Sequence, residues 1–304
     1  MKAQTWVITG ASGLIGSALQ AALLREGHEV RTLGRRLSDH PQTSPYLWNP
    51  RQSTLDQRAL EGADVLVHLA GASVGQRWTS AHRQSIVDSR VQGTSLLRET
   101  LESVGFRGTW IQASAVGYYG NASRPCSEHT PQGKGFLADV VGAWENASSP
   151  VPEGIRAVHL RLGLVFSGRG GSLSRLWPIY RLGLGSALGS GKQPMSWIHV
   201  DDVVRLILWA AQTPRATGIF NATAPQSTTN EAFSKALARA VNRPHWSPNV
   251  PAFALRLLLG DMASLLLEGQ NTVPERLLEM GFDWRHPGLQ EALNVCFAER
   301  QARR

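Results

Sequence analysis

Thr5-Trp6-Val7-Ile8-Thr9-Gly10-Ala11-Ser12-Gly13-Leu14-Ile15-Gly16 is the stretch on which the reading of this chain turns. Thr5–Thr9 is short, apolar and rich in β-branched residues, which is the pattern of a buried strand. Leu14, Ile15, Ala18, Leu19, Ala22 and Leu23 follow at helical spacing. The glycines between them have separate jobs: Gly10 permits a tight turn, Gly13 lets a pyrophosphate approach the backbone, and Gly16 allows close helix packing. The helix start then offers unpaired N–H groups and the positive end of its dipole to phosphate. A glycine triplet is weak evidence alone, but here it follows a strand and opens an amphipathic helix, the context such a site requires. Ser12, Leu14 and Ile15 are expected beside the ligand together with the three glycines.

Working outward, Gly27 ends the helix and Glu29–Leu33 reads as a second strand. A carboxylate near the end of that strand would hold a ribose 2′-hydroxyl and repel a 2′-phosphate. This chain has Gly34-Arg35-Arg36 there, and no acidic residue before Asp39. Guanidinium groups bond phosphate with charge assistance, so the expected cofactor is NADP(H), held at its 2′-phosphate by Arg35 and Arg36.

Further apolar strands are expected at Asp64–Ala70, Thr109–Ser114 and Ile155–Phe166. A long helix lies between the first two, with Ile86, Val87, Val91, Thr94, Leu97, Leu101 and Val104 on one face. Alternating strands and helices predict a doubly wound parallel α/β sheet of the Rossmann type. The character changes after Phe166. Gly168–Gly191 is glycine-rich with one short helix, and Asp201 is the expected N-cap of a helix reaching Gln212. A last strand, Gly218–Asn221, leads to a capping box at Thr228–Glu231 and then to a helical, proline-punctuated tail. The expected division is a cofactor domain of 1–166 plus 198–225, and a smaller, mainly helical substrate lobe of 167–197 plus 226–304. The substrate crevice should lie between them, outside the carboxyl ends of the strands.

The chain has 304 residues, 42% of them hydrophobic, enough for a sizeable core. Met1–Gln4 runs straight into the first strand without a signal-peptide core, and no apolar run approaches membrane-spanning length. Cys126 and Cys296 are too few for a disulfide framework. These features predict a cytoplasmic protein with no membrane partner. Formal net charge is +8 and only four basic residues are lysines, but the arginines are scattered, so no nucleic acid is expected as a partner. The dense basic cluster, Arg300, Arg303 and Arg304, reads as a solvated tail. No His, Cys, Asp and Glu cluster has metal-ligand spacing in the sequence, and there is no Gly-x-Ser-x-Gly elbow.

The phosphate loop resembles that of the short-chain dehydrogenase/reductase superfamily in its extended and atypical branches. His68-Leu69-Ala70-Gly71-Ala72 is similar to the superfamily turn that runs beside the adenosine side of the cofactor, which implicates Leu69, Ala70 and Gly71. Arg77-Trp78, Ser114–Gly120, Phe136-Leu137-Ala138, Trp144-Glu145, Ser196–His199, Asn221–Pro225, Gly260-Asp261-Met262 and Gly281-Phe282 resemble one atypical branch. That branch is the sugar-nucleotide-epimerase-like "epimerase family proteins", which carry a C-terminal domain of unknown function.

Orthodox members of the superfamily use a Tyr-x-x-x-Lys pair. The tyrosines here are Tyr46, Tyr118, Tyr119 and Tyr180, and four residues on stand Pro50, Ala122, Ser123 and Leu184. The region that should carry the pair reads Phe136-Leu137-Ala138-Asp139-Val140-Val141, and Arg90 stands where the superfamily has a catalytic Asn. Of the family's catalytic set only Ser114 survives. One reading is an NADP-dependent oxidoreductase or nucleotide-sugar epimerase with a relocated acid, for which Tyr118, Tyr119 and His199 are candidates. Another is a non-catalytic module that senses NADPH or binds a partner. A nucleic-acid-associated protein rests on charge alone. Arg77, Trp78, Arg90 and Trp197 are the candidate contacts for a small, anionic or sugar-like substrate. Glu145 is expected on a helix, paired with an arginine.

Overall fold

The computed structural model describes residues 3–246 and 248–302, so Arg303 and Arg304 of the expected basic tail lie outside the described residues. In chain order, β1 (Thr5–Thr9), α1 (Leu14–Arg25), β2 (Glu29–Gly34), β3 (Ser44–Asn49) and β4 (Thr54–Leu55) come first. Next are β5 (Val65–His68), α2 (Ser80–Ser103), β6 (Thr109–Ala115), β7 (Ala122–Cys126), α3 (Phe136–Ala147) and β8 (Arg156–Leu162). Then follow β9 (Leu164–Phe166), α4 (Ser172–Arg181), β10 (Pro194–Met195), β11 (Trp197–His199), α5 (Val200–Gln212) and β12 (Gly218–Ala222). The C-terminal part holds β13 (Thr228–Thr229), α6 (Asn230–Ala240), α7 (Ala252–Leu259), α8 (Ser264–Leu267), β14 (Gln270–Thr272), α9 (Glu275–Glu279) and α10 (Leu289–Gln301).

Eight strands form one sheet in the order β12-β8-β6-β5-β1-β2-β3-β4, parallel except for the β3–β4 edge. This is the expected doubly wound α/β fold. The order reverses at β1, which has β2 on one side and β5 on the other, so ligands belong at the carboxyl ends of these strands. Trp6, Val7 and Ile8 are fully buried, because helices cover both faces of the sheet. Trp6 and Ile8 pack with Leu19 and Leu23 of α1 and Val203 and Ile207 of α5. Val7 packs on the other face with Leu97 and Leu101 of α2. At about 1.5–3 kcal/mol for each large apolar side chain taken from water, these two layers dominate the stability of the sheet.

Several expectations need correction. The expected strand Ile155–Phe166 breaks at Gly163, where a Cβ would lie 2.7 Å from the Ser196 carbonyl oxygen, so β8 stays in the main sheet while β9 pairs with β11. β3 and the edge strand β4 carry Pro45, Asn49 and the exposed Ser44 and Thr54, and the sequence reading passed over them. The N-cap of α5 is His199 rather than Asp201: the His199 ring accepts the Asp201 N–H. Thr229 rather than Thr228 caps α6, its hydroxyl accepting the Ala232 N–H.

Packing crosses the expected boundaries between cofactor domain and substrate lobe. Phe166, Trp197, Phe233, Leu237 and Cys296 share one buried cluster, the core of the C-terminal part. Leu277 and Phe282, however, pack into the main core beside α5 and β12, and β14 pairs with β7. Among the described residues, no helix is long and apolar enough to cross a membrane.

Candidate functional site

At the carboxyl end of β1 the backbone turns back on itself. Gly10 has φ +72°, and a Cβ there would sit 2.9 Å from the Ala70 nitrogen, so the turn after β5 is pressed against the loop. The buried Thr9 hydroxyl ties the two turns together. It lies 2.7 Å from His68 Nδ1 and accepts the Leu69 and Ala70 N–H groups at 3.2 and 3.3 Å. Leu69 and Ala70, with Gly71 next in the turn, thus stand against the glycine loop. A Cβ on Gly16 would lie 2.3 Å from the Gly10 carbonyl oxygen, so this glycine lets the loop fold onto its own helix rather than helix onto sheet. Leu14 and Ile15, in the first turn of α1, are half-buried against the main core.

Gly13 caps α1 with no side-chain hydrogen bond, and the first turn holds no acidic residue. Ser12 and Gly13 are exposed. The first N–H groups of α1 and its positive dipole end are therefore left for an outside anion, with room to approach the backbone. β2 runs parallel to β1 with Thr9 opposite Leu33, so Arg35 and Arg36 leave the same end of the neighbouring strand as the loop. Both arginines are exposed, and neither side chain has a hydrogen bond or ion pair among the described residues. This donor set fits a dinucleotide. Loop and helix would hold its diphosphate, and the arginines a 2′-phosphate. A cleft of about 390 Å³ opens over the loop, with Ser12, Gly13 and Ser17 on one wall and Arg169, Gly170 and Gly171 on the other.

Farther along the sheet a second constellation forms. Ser114, Arg161 and Asn221 are in register on β6, β8 and β12. Ser114 donates to Glu145 Oε1 at 2.6 Å. Arg161 binds both Glu145 oxygens, at 2.8 and 2.7 Å, and donates to the Tyr119 hydroxyl at 2.9 Å. Tyr119 donates to Asn221 Oδ1 at 2.7 Å, and burial pushes its hydroxyl up to about 12. The same guanidinium sits over the Tyr118 ring, with Arg161 Cζ 3.5 Å from its centroid. Tyr118 is half-buried, and its hydroxyl has no hydrogen bond among the described residues. Behind this turn stands α3. A Cβ on Gly117 would meet Leu137 at 3.4 Å and Val141 at 3.9 Å, four residues apart on the helix, and neither can carry a proton.

The other candidates have different occupations. Arg90 donates to the Ala72 and Ile86 carbonyls at 3.1 Å each, under Gly71 and against the Trp144 ring. Burial lowers it to about 10. It braces the 69–72 turn through one guanidinium nitrogen. Trp197 is withdrawn, 1% exposed and stacked on Phe166 at 5.4 Å. His199 is fully buried with burial pushing it down to about 4, and it caps α5. Its ring faces His286 at 4.3 Å, with Asp201 3.9 Å from Nδ1, and these three side chains could approach a common cation. Three things oppose a metal there: Nδ1 already serves the Asp201 N–H, Arg285 stands 3.8 Å from Asp201, and the positive end of α5 points at the group. Arg77 is exposed, and Trp78 is half-buried, donating to Val74 O and meeting Phe136 edge-on at 5.1 Å. Beside the Phe136 ring lies a second cleft, lined also by Ser80, Gln84 and Val87 of α2. Arg83 joins them, 4.2 Å over the Phe136 ring and bonded to Asp261 at 3.1 Å.

The sequence reading singled out neither Arg161 nor Arg169. For Arg161 a signal existed, because a charged residue inside a strand buried on both faces demands a partner. For Arg169 there was none, since only the fold brings residue 169 over residue 13.

Comparison with known proteins finds relatives over nearly the whole chain. Residues 6–223 match the NAD dependent epimerase/dehydratase family, and residues 250–295 match a domain of unknown function, DUF1731. Epimerase family protein Mb2239 of Mycobacterium bovis is 43% identical over 295 residues, covering 95% of this chain and 96% of its own. The crystal structure of human epimerase family protein SDR39U1 (isoform 2) with NADPH is similar at a TM-score of 0.86 and 29% identity, covering 97% of this chain and 99% of that one. A nucleoside-diphosphate sugar epimerase from Corynebacterium glutamicum gives 0.79 at 31% identity, over 99% of this chain and 61% of that one.

Proposed function

The chain belongs to the NAD dependent epimerase/dehydratase family, with the C-terminal domain of unknown function attached, and from this premise we propose that it is an NADP(H)-dependent oxidoreductase or epimerase acting on a small anionic or sugar-like substrate. The observation that carries the cofactor choice is the pairing of β1 with β2, which brings two uncommitted arginines beside a phosphate loop that has no acidic neighbour. At about 1.5–3 kcal/mol for each charged hydrogen bond, two contacts to a 2′-phosphate favour NADP over NAD by more than tenfold. The similarity to a human relative crystallised with NADPH supports the same choice.

A bound nicotinamide supplies the hydride donor or acceptor. The chain's own contribution is the proton and the orientation of substrate. Tyr119 is a poor proton donor, since its hydroxyl is already given to Asn221 and its proton is held up to about 12. His199 is fully buried, and its ring nitrogen is occupied in capping α5. Tyr118 remains, with an open hydroxyl on a ring held over Arg161, at the end of the strand where Ser114 lies. Arg77 and Trp78, on the segment leading into α2, and Arg83 in its first turn offer a stacking face and two cations for the substrate. Isothermal titration of NADPH and NADH tests the cofactor choice, and equal affinities would sink it. NADPH fluorescence decay against carbonyl and nucleotide-sugar substrates tests the reaction: Tyr118→Phe should abolish turnover with NADPH affinity intact.

A non-catalytic NADPH-binding module is the second reading. It draws support from Ser114, whose hydroxyl is committed to Glu145, and from the apolar Leu137 and Val141. NADPH binding without consumption of any substrate in the panel would favour it.

A further inference from the structure

The diphosphate of a dinucleotide carries two negative charges, and the glycine loop compensates few of them. The α1 dipole is worth roughly half a unit charge at its N-terminus, and residues 10–17 contain no lysine or arginine. An uncompensated anion in a partly closed cleft is costly. The wall opposite supplies the missing charge. Arg169 lines the cleft with Gly170 and Gly171, facing Ser12, Gly13 and Ser17. The segment that carries it is wedged into place. A Cβ on Gly168 would lie 2.1 Å from the Cys296 carbonyl oxygen of α10, and one on Gly171, at φ +70°, would lie 3.0 Å from Leu14 of α1. The backbone is thus gripped between the two helices while the Arg169 side chain, 41% exposed, stays free to move. Its guanidinium has one weak partner, Glu299 of α10 at 3.4 Å, while the Arg169 backbone N–H donates to Ser167 Oγ at 3.1 Å. Glu299 also accepts the Gly168 N–H at 3.2 Å.

We propose that Arg169 is a diphosphate-binding residue that closes over the glycine loop, exchanging Glu299 for the cofactor's phosphate oxygens as partner. The inference rests on the NADP(H) reading above. It also gives the C-terminal helix a direct link to the cofactor: α10 carries the carboxylate that competes for the same guanidinium.

The test is calorimetric titration at low salt with NADPH and with adenosine 2′-monophosphate, which has the 2′-phosphate but no diphosphate. Arg169→Ala should weaken NADPH at least tenfold and leave adenosine 2′-monophosphate unchanged. Arg35→Ala/Arg36→Ala should weaken both. Glu299→Gln removes the competitor while keeping an acceptor for the Gly168 N–H, so it should tighten NADPH, by up to about fivefold. A merely structural role for the Arg169–Glu299 pair would weaken binding in both variants. Arg169→Lys, which keeps the charge on a similar stem, should recover part of the loss and guards against a folding defect in the alanine variant. NADPH binding to Arg169→Ala within twofold of wild type overturns the inference and leaves the NADP(H) reading standing. A wild-type chain that binds no NADPH overturns both.

Discussion

Glu145→Gln probes the buried network around Arg161 with a change of one atom type. The carboxylate takes three charge-assisted bonds, from Ser114 at 2.6 Å and from two Arg161 nitrogens at 2.8 and 2.7 Å. Both partners are withdrawn from water, with the Arg161 side chain 2% and the Glu145 side chain 11% exposed. A glutamine keeps one acceptor oxygen, turns an NH₂ toward the guanidinium, and leaves a buried cation without its counter-charge. Breaking a buried pair in this way costs about 3–5 kcal/mol, against a total stability of about 5–15 kcal/mol. For a large single domain, about 2–4 °C per kcal/mol converts the lower figure to a fall in Tm of roughly 6–12 °C. Urea unfolding followed by tryptophan fluorescence gives the same quantity as a shift in midpoint. The double variant Arg161→Met/Glu145→Leu should lose less than Glu145→Gln alone, because it removes the orphaned charge with its partner. A loss under about 1 kcal/mol for Glu145→Gln, or a double variant worse than the single, would refute the claim that the pair is buried and mutually dependent.

Stability should also fall on mild acidification. Burial holds His199 down to about 4 and His68 down to about 3, both below the ordinary value of 6.5. The unfolded chain then binds protons that the folded chain refuses, so stability is intact above about pH 6.5 and is lost as pH falls toward 4 and then 3, by a few kcal/mol in all. Urea midpoints that stay flat between pH 7 and 4.5 would contradict this. Gly16→Ala drives a Cβ against the Gly10 carbonyl and the Ala11 backbone, so NADPH titration should show at least a tenfold loss and thermal scans a loss of about 1–3 kcal/mol. Trp197→Ala should cost about 3–5 kcal/mol in chemical denaturation, as a core residue does. A fully stable variant with impaired turnover would restore Trp197 to the substrate site.

The cofactor half of the fold was legible because its signals are local. Strand, glycine loop, helix and second strand lie within residues 5–36, and each element has its own period or punctuation. β3 was missed because Pro45, the exposed Ser44 and Leu47, and a single buried residue, Trp48, leave little burial to impose a pattern. The site on the far side of the sheet was only half legible. Ser114, Tyr118, Tyr119 and Glu145 stood out as residues, but their union depends on Arg161 and Asn221 meeting across β6, β8 and β12, a matter of register that sequence spacing does not encode. Arg90 and Trp197 misled for a common reason. Arginine and tryptophan suit both recognition and burial, and only packing shows that one braces a turn while the other fills a core. His199 stands among the candidate acids by residue type, and its capping bond to the Asp201 N–H gives it a structural occupation.

The central claim is that Arg35 and Arg36 select a 2′-phosphorylated dinucleotide over the loop of Gly10–Gly16. Titration of NADPH and NADH into the wild-type chain and into Arg35→Ala/Arg36→Ala measures this directly. The expected result is a preference for NADPH above tenfold in the wild type that collapses toward unity in the double variant, with NADH affinity little changed. Equal affinities in the wild type, or a preference that survives the loss of both arginines, would contradict it.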